Sequence, residues 1–284
     1  MTRGFLYSYN FIGFGGEDVA LSIDRLARLG YDAVEIEGEP ERHDPGRIRK
    51  LAAEAGLRVA SVCPNFTPER DLSHPDPEIR YTAVAYLRDV AEFAAEAGAP
   101  LFIVAPTAYA RVRPIADPLD EWLWAVEGIR NAGDHASSLG VDLSLECWNR
   151  YGTYMLNRLE EGARMWHETG LANGGVMADT FHMNIEERSI SGAILAHADL
   201  LNHVHLSDSN RLAPGLGHID FAEVLRTLTE IGYKRSLAFE LIPTLPNLLE
   251  EEQDAPSLDG VADQALRHMQ QVEQILSAGR SGPS

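Results

Sequence analysis

The strongest constraint in this 284-residue sequence is a recurrence of apolar runs that each end on one carboxylate or imidazole. Val141-Asp142-Leu143-Ser144-Leu145 leads to Glu146, and Gly175-Val176-Met177-Ala178 leads to Asp179. Leu201-Asn202-His203-Val204 leads to His205, and Leu237-Ala238-Phe239 to Glu240. These four residues stand 33, 26 and 35 positions apart, and each interval holds one loop, one helix and the next strand. Parallel strands need such a crossover to lie side by side, so the spacing predicts consecutive βα units.

The same alternation runs through the first half. Strands are expected at Gly4–Asn10, Ala33–Glu37, Arg58–Cys63 and Leu101–Ala105, the last wholly apolar and therefore buried on both faces. Helices are expected at Glu17–Leu29, Pro45–Ala55, Pro77–Ala97 and Pro118–Leu139, with Gly30, Gly56, Gly98 and Gly140 as stops. Beyond Glu146 the pattern predicts helices at Leu159–Thr169, Ile190–Ala198, Asp220–Ile231 and Leu258–Leu276, with a mobile segment at Pro243–Pro256. Eight strands, each followed by a helix, predict an α/β fold, a (β/α)8 TIM barrel in a single domain over residues 1–276, with a flexible tail at 277–284. An open doubly wound sheet fits less well. No GxGxxG motif follows the first strand, and acidic strand ends continue to the eighth.

In a parallel barrel the C-terminal strand ends converge on one rim, so Glu146, Asp179, His205 and Glu240 are candidate ligands of one divalent metal ion. An oxygen-rich donor set suits Mn²⁺, with Mg²⁺ or Co²⁺ as alternatives, better than thiolate-type zinc. Cys63 and Cys147 lie too far apart in sequence for a CxxC pairing. His203 shares a strand side with His205 but lies deeper, and is expected to be a satisfied core histidine. His182, three residues past Asp179, is expected in a loop within reach of substrate. The formal charge of −19, from 43 acidic and 24 basic residues, opposes a nucleic-acid partner. The basic residues are scattered, and Arg111 and Arg113 read as solvated charges. No apolar run is long enough to span a membrane, and the N-terminus lacks a signal-like apolar segment, so a cytoplasmic location is expected.

Particular residues carry a resemblance. The stretches Leu145-Glu146 with Asn149-Arg150-Tyr151, Met177 to Glu187, His203-Val204-His205-Leu206, Asn210-Arg211, Gly217-His218-Ile219-Asp220 and Phe239-Glu240 resemble the xylose isomerase-like sugar isomerase/epimerase superfamily. Within it the chain most resembles the ketose 3-epimerases related to D-tagatose 3-epimerase. The resemblance implies a small-molecule sugar substrate and a proton moved next to a carbonyl through a cis-enediolate. It implies that Glu146, Asp179, His205 and Glu240 bind the metal, that Glu146 and Glu240 also move protons, and that His182 and Arg211 hold sugar oxygens. A homo-oligomer is implied, or a hetero-oligomer for a deglycosidase subunit.

One departure stands out. Where the ketose epimerases carry a substrate-contacting glutamate, this chain has Gly152, and Trp148 adds apolar area nearby. Both changes point to a different or larger substrate, with Trp148 as a candidate substrate-binding residue. A lyase acting on 3-keto glycosides, as in the metal-bearing subunits of C-glycoside deglycosidases, is the alternative reading. A non-enzymatic accessory subunit and an abasic-site endonuclease on the same barrel rank lower, the latter because of the charge.

Overall fold

The computed structural model of the chain describes residues 4–12, 18–242 and 255–280. Strands β1 (Tyr7–Ile12), β2 (Ala33–Glu37), β3 (Arg58–Cys63), β4 (Leu101–Val104), β5 (Asp142–Glu146), β6 (Gly174–Asp179), β7 (Leu201–Leu206) and β8 (Leu237–Phe239) pair in chain order. They close into a parallel barrel, the expected (β/α)8 architecture. Among the described residues the helices are α1 (Val19–Leu29), α2 (Pro45–Glu54), α3 (Pro77–Ala97), α4 (Pro118–Ser138), α5 (Leu159–Thr169), α6 (Thr180–Glu186), α7 (Ile190–Ala196), α8 (Phe221–Glu230) and α9 (Ala255–Arg280).

Local chemistry explains the helix starts. An Asp-Pro pair opens α2, α3 and α4, with Asp44, Asp76 and Asp117 accepting backbone N–H groups and the proline occupying the first turn. The carboxylate satisfies an otherwise orphaned donor, and proline has none to lose there. Asp220 caps α8 as expected by accepting from the Glu223 N–H at 2.9 Å.

Three features differ from the sequence expectation by more than two residues. β1 begins at Tyr7, and the Gly4 N–H instead donates to Glu273 on α9. Helix α6 occupies a stretch expected to be loop. The last helix continues to Arg280, so residues 277–280 are helical, while 281–284 and most of the expected mobile segment, 243–254, lie outside the described residues. Among the described residues no helix is long and apolar enough to cross a membrane. Arg111 is also corrected: it is not a solvated charge but pairs with buried Asp71 and Glu121, each at 2.7 Å.

The apolar core lies between barrel and helices, where Val34, Ile36, Leu143, Leu145, Val176 and Val204 meet helix side chains such as Leu87 and Val90. The alternate strand positions face the barrel interior, and they are unusually polar. Glu35, Ser61, Ser144, His203 and His205 are all buried there, while Cys63, Ile103 and Met177 form a separate small apolar cluster. Barrel interiors are ordinarily filled by branched aliphatic side chains; this one devotes that space to charge.

Close strand approach makes Gly175 indispensable. A Cβ there would fall 1.9 Å from the Leu200 carbonyl oxygen, which accepts the Val176 N–H at 3.0 Å. Gly175→Ala is expected to destabilise the barrel by about 3 kcal/mol. In urea unfolding this would appear as a lowered midpoint with an unchanged slope; an unchanged midpoint would contradict the packing described.

Candidate metal centre and cleft

Glu146 ends β5, Asp179 ends β6, His205 is the penultimate residue of β7, and Glu240 immediately follows β8. Each offers a ligand atom, and these atoms all lie within 4.8 Å of one another. Strand register produces this meeting: Asp179 is level with His205, and His205 with Ala238, two residues before Glu240. The structure therefore brings together the four candidate ligands.

Asp179 divides its two oxygens between structure and site. Oδ1 accepts the Phe181 and His182 N–H groups at 2.8 and 3.2 Å and so caps α6. This cap is why His182 sits on a short helix and not in the expected loop. Oδ2 faces the cleft, 2.7 Å from Arg211 Nη1 and 3.8 Å from both His205 Nδ1 and His182 Nε2. His182 is oriented from behind, because its Nδ1 takes the Asn149 backbone N–H at 3.1 Å. Nε2 then carries the ring hydrogen, 4.0 Å from Glu146. Burial lowers the imidazole to about 4, against the pull of Asp179, so the ring is a neutral donor.

Arg211 is positioned by an uncommon backbone. Its φ of 63° is left-handed, a conformation that costs a non-glycine residue about 1–2 kcal/mol. Asp208 holds the loop in place by accepting the N–H groups of Ser209, Gly215 and Ile219, and its carbonyl accepts from Arg211 itself. The guanidinium consequently reaches both Asp179 and Glu240 and lies 4.9 Å from the centre of the Phe181 ring.

Glu35 behind the site was not singled out by the sequence reading. Glu35, fully buried on β2, accepts from His205 Nε2 at 2.8 Å, from His203 Nε2 at 2.7 Å and from the Ser61 hydroxyl. Burial alone would raise its carboxyl, but the His205 and His203 imidazoles hold it well below the usual carboxylate range. With Nε2 committed to Glu35, His205 turns Nδ1 toward the cleft, 3.0 Å from Glu240. A strand irregularity between Val34 and Glu35 sets this aim. The available signal was the alternation of Glu35 and Glu37 in an otherwise apolar strand. His203 is the satisfied interior histidine expected.

The donor set fits a divalent cation. Three carboxylates face the cleft against one imidazole and one guanidinium, and the resulting excess of negative charge shows at Glu146. Burial and the Glu240 carboxylate, joined by Asp179, push it up to about 8 against His205 and a hydrogen bond from Trp148. A cation within 4.8 Å-spaced oxygens would relieve that repulsion.

The apolar wall beside Glu146 is built from Trp148, which is buried, with Phe66 and Tyr109 packed edge-on at 5.9 and 5.2 Å. A Cβ at Gly152 would stand 3.0 Å from Trp148 Cβ and 3.2 Å from Tyr109 Cε2. Gly152 and Trp148 are thus one coupled feature. Of the side chains that could replace the missing carboxylate, Glu37 is engaged by Arg42, His43 and Asn65, and Asn149 by His182.

Glu146 has a folded-state value raised above that of the unfolded chain, so its contribution is most favourable in acid and is lost as pH rises toward about 8. With a chelator present, the thermal midpoint is expected to fall by several degrees from about pH 5 to pH 8, at roughly 2–4 °C per kcal/mol. Glu146→Gln should flatten that slope, and so should a saturating divalent cation. A slope indifferent to both would contradict the charge balance described.

Comparison with known proteins agrees with this geometry. Residues 23–270 match the family described as xylose isomerase-like TIM barrel. The chain is 34% identical over 231 residues to D-psicose 3-epimerase of Ruminiclostridium cellulolyticum, covering 78% of each chain. It is 28% identical over 234 residues to 3-dehydro-D-guloside 4-epimerase of Escherichia coli, covering 80% of this chain and 88% of that protein. It superposes with a TM-score of 0.86 and 29% identity on a D-psicose 3-epimerase from Clostridium cellulolyticum crystallised with D-tagatose, over 94% of this chain and 99% of the other. A family match over residues 23–270 and identity above 30% across most of the sequence place this chain in the xylose isomerase-like TIM barrel family, with ketose 3-epimerases among its relatives.

Proposed function

We propose that this protein is a divalent-metal-dependent sugar isomerase or epimerase that moves a proton next to the carbonyl of a ketose or keto-sugar derivative. The observation that carries the reading is the arc of Glu146, Asp179, His205 and Glu240 on four consecutive strand ends. These four residues would hold the cation, for which Mn²⁺ is the best match to the donors and Mg²⁺ or Co²⁺ the alternatives. When bound, the cation supplies Lewis-acid polarisation of a substrate carbonyl and its neighbouring hydroxyl.

The chain's own residues divide the remaining work. Glu146 and Glu240 occupy the two ends of the arc, so they flank a sugar seated over Asp179 and His205. One carboxylate takes the proton from carbon and the other returns one to the opposite face of the cis-enediolate. His182 offers a neutral Nε2–H to a sugar oxygen, and Arg211 offers its guanidinium to another. Trp148, backed by Phe66 and Tyr109, keeps water away from Glu146.

Turnover in deuterated water tests this directly. Protein loaded with Mn²⁺ is expected to hold about one ion per chain and to place solvent deuterium at one carbon of its sugar. Glu146→Gln and Glu240→Gln should each slow that exchange by roughly 10²–10⁴-fold. His182→Ala and Arg211→Ala should lower turnover while leaving metal content unchanged. Failure of any sugar in a panel of ketoses and 3-keto glycosides to exchange would sink the reading.

Substrate preference follows from Gly152. A sugar hydroxyl left without its acceptor costs about 1–3 kcal/mol, or roughly tenfold to a hundredfold in rate or affinity. Free D-tagatose, D-fructose and D-psicose are therefore expected to react less efficiently than a bulkier or further oxidised sugar. The name of the Escherichia coli relative, which refers to an oxidised glycoside, supports this direction. The same enlarged wall favours, as second reading, a lyase acting on 3-keto glycosides. Release of an aglycone, as against conservation of mass, separates the two. Efficient epimerisation of the small ketoses would remove Gly152 as a specificity marker.

A further inference from the structure

Asn10 has been given no role so far, yet it is buried beside Glu240 at the cleft. It lies on β1, which runs beside both β2 and β8, and its register neighbour is Glu35. The preceding residue, Tyr9, is level with Phe239, so Asn10 is carried up beside Glu240. The side chain is 2% exposed, and its Nδ2 faces Glu240 Oε1 at 3.5 Å. The reverse orientation of the amide would set its oxygen against a carboxylate.

Glu240 uses its two oxygens differently. Oε2 is engaged by His205 Nδ1 at 3.0 Å and by the Arg211 guanidinium. Oε1 is met by Asn10. The other end of the amide is the informative one: among the described residues, the buried Oδ1 of Asn10 has no hydrogen-bond partner. Buried polar atoms are nearly always paired, and an exception asks for a partner that the fold does not itself provide. A bare carbonyl-type acceptor beside a proton-transferring carboxylate suits an O–H donor, such as a hydroxyl of the sugar near its reacting carbon.

We propose that Asn10 is a specificity-determining and positioning residue. Its Oδ1 accepts a free hydroxyl of the substrate, and its Nδ2 orients Glu240 Oε1, the carboxylate oxygen left to act on carbon. The assignment rests on the sugar reading and sharpens it. The substrate must carry an unsubstituted hydroxyl on the Glu240 side of the cleft. An ether, ester or phosphate at that carbon presents no hydrogen to the amide oxygen and is excluded.

Two variants separate the halves of the amide. Asn10→Ala removes both groups, whereas Asn10→Asp keeps an acceptor but replaces the donor facing Glu240. The probes are D-psicose, D-tagatose, D-fructose and the 3-keto form of a simple glucoside, titrated calorimetrically into Mn²⁺-loaded protein, together with monodeoxy forms of whichever sugar binds. Asn10→Ala is expected to weaken that sugar at least tenfold while Mn²⁺ affinity stays within twofold, and one monodeoxy form should bind Asn10→Ala and the unaltered protein alike. Asn10→Asp is expected to keep sugar affinity within threefold but to lose kcat at least tenfold. Thermal midpoints of both variants near that of the unaltered protein identify the effects as local, and if Asn10→Ala fails to fold, the affinity and kcat split in Asn10→Asp decides the matter. Unchanged sugar affinity in Asn10→Ala, a parallel loss of Mn²⁺ affinity, or unchanged kcat in Asn10→Asp overturns the role of Asn10 alone. No binding of any of the four sugars to the unaltered protein overturns the sugar reading, and this inference with it.

Discussion

A carboxylate buried inside a barrel must be answered by opposite charge or by hydrogen bonds, because the interior offers little solvation. Glu35 meets that requirement with His203, His205 and Ser61, and the rest of the site follows from its solution. Anchored at Nε2, His205 presents Nδ1 upward to Asp179 and Glu240. The ring that could serve a metal is therefore aimed by an acid on the far side of the barrel, three positions away around the sheet. Replacing branched aliphatics by this ionic pillar forgoes dispersion contacts in the barrel interior and obtains a fixed imidazole in return.

The same economy recurs at the rim. Asp179 caps a helix with one oxygen and faces the cleft with the other, so the helix that carries His182 cannot shift without disturbing the candidate ligand. Arg211 is held in a left-handed conformation by a loop gathered around Asp208. Strain of that kind persists only where the surroundings over-determine it, and here it aims a guanidinium between two carboxylates. Rigidity at the rim is supplied by residues that also belong to the site. Substrate discrimination, by contrast, is proposed to lie with Gly152 against Trp148 on one side, and Asn10 beside Glu240 on the other.

Much of this was legible in the chain itself. Apolar runs ending on Glu146, Asp179, His205 and Glu240 at βα spacing specified both the barrel and the candidate ligands, because parallel strands have one geometry for their crossovers and one rim for their C-terminal ends. Asp-Pro pairs marked three helix starts through capping chemistry that acts over three residues. The illegible parts depend on contacts between residues far apart in sequence. Helix α6 forms because the Asp179 carboxylate turns back on its own backbone, which an apolar period over seven residues does not reveal. Arg111 reads as a surface charge until Asp71 and Glu121, from two other segments, enclose it.

Sequence alone determined the number and order of the βα units, the convergence of four metal-competent side chains and the net acidic charge, since each follows from local periodicity or summed charge. Tertiary structure alone decided which histidine nitrogen faces the cleft, which oxygen of Glu240 is engaged by His205 and Arg211, and that Gly152 is coupled to Trp148 and Tyr109. The physical reason is one of range. Propensity, capping and strand alternation act within a few residues, whereas hydrogen-bond direction and burial are settled only when β1, β2, β7 and β8 close on one another.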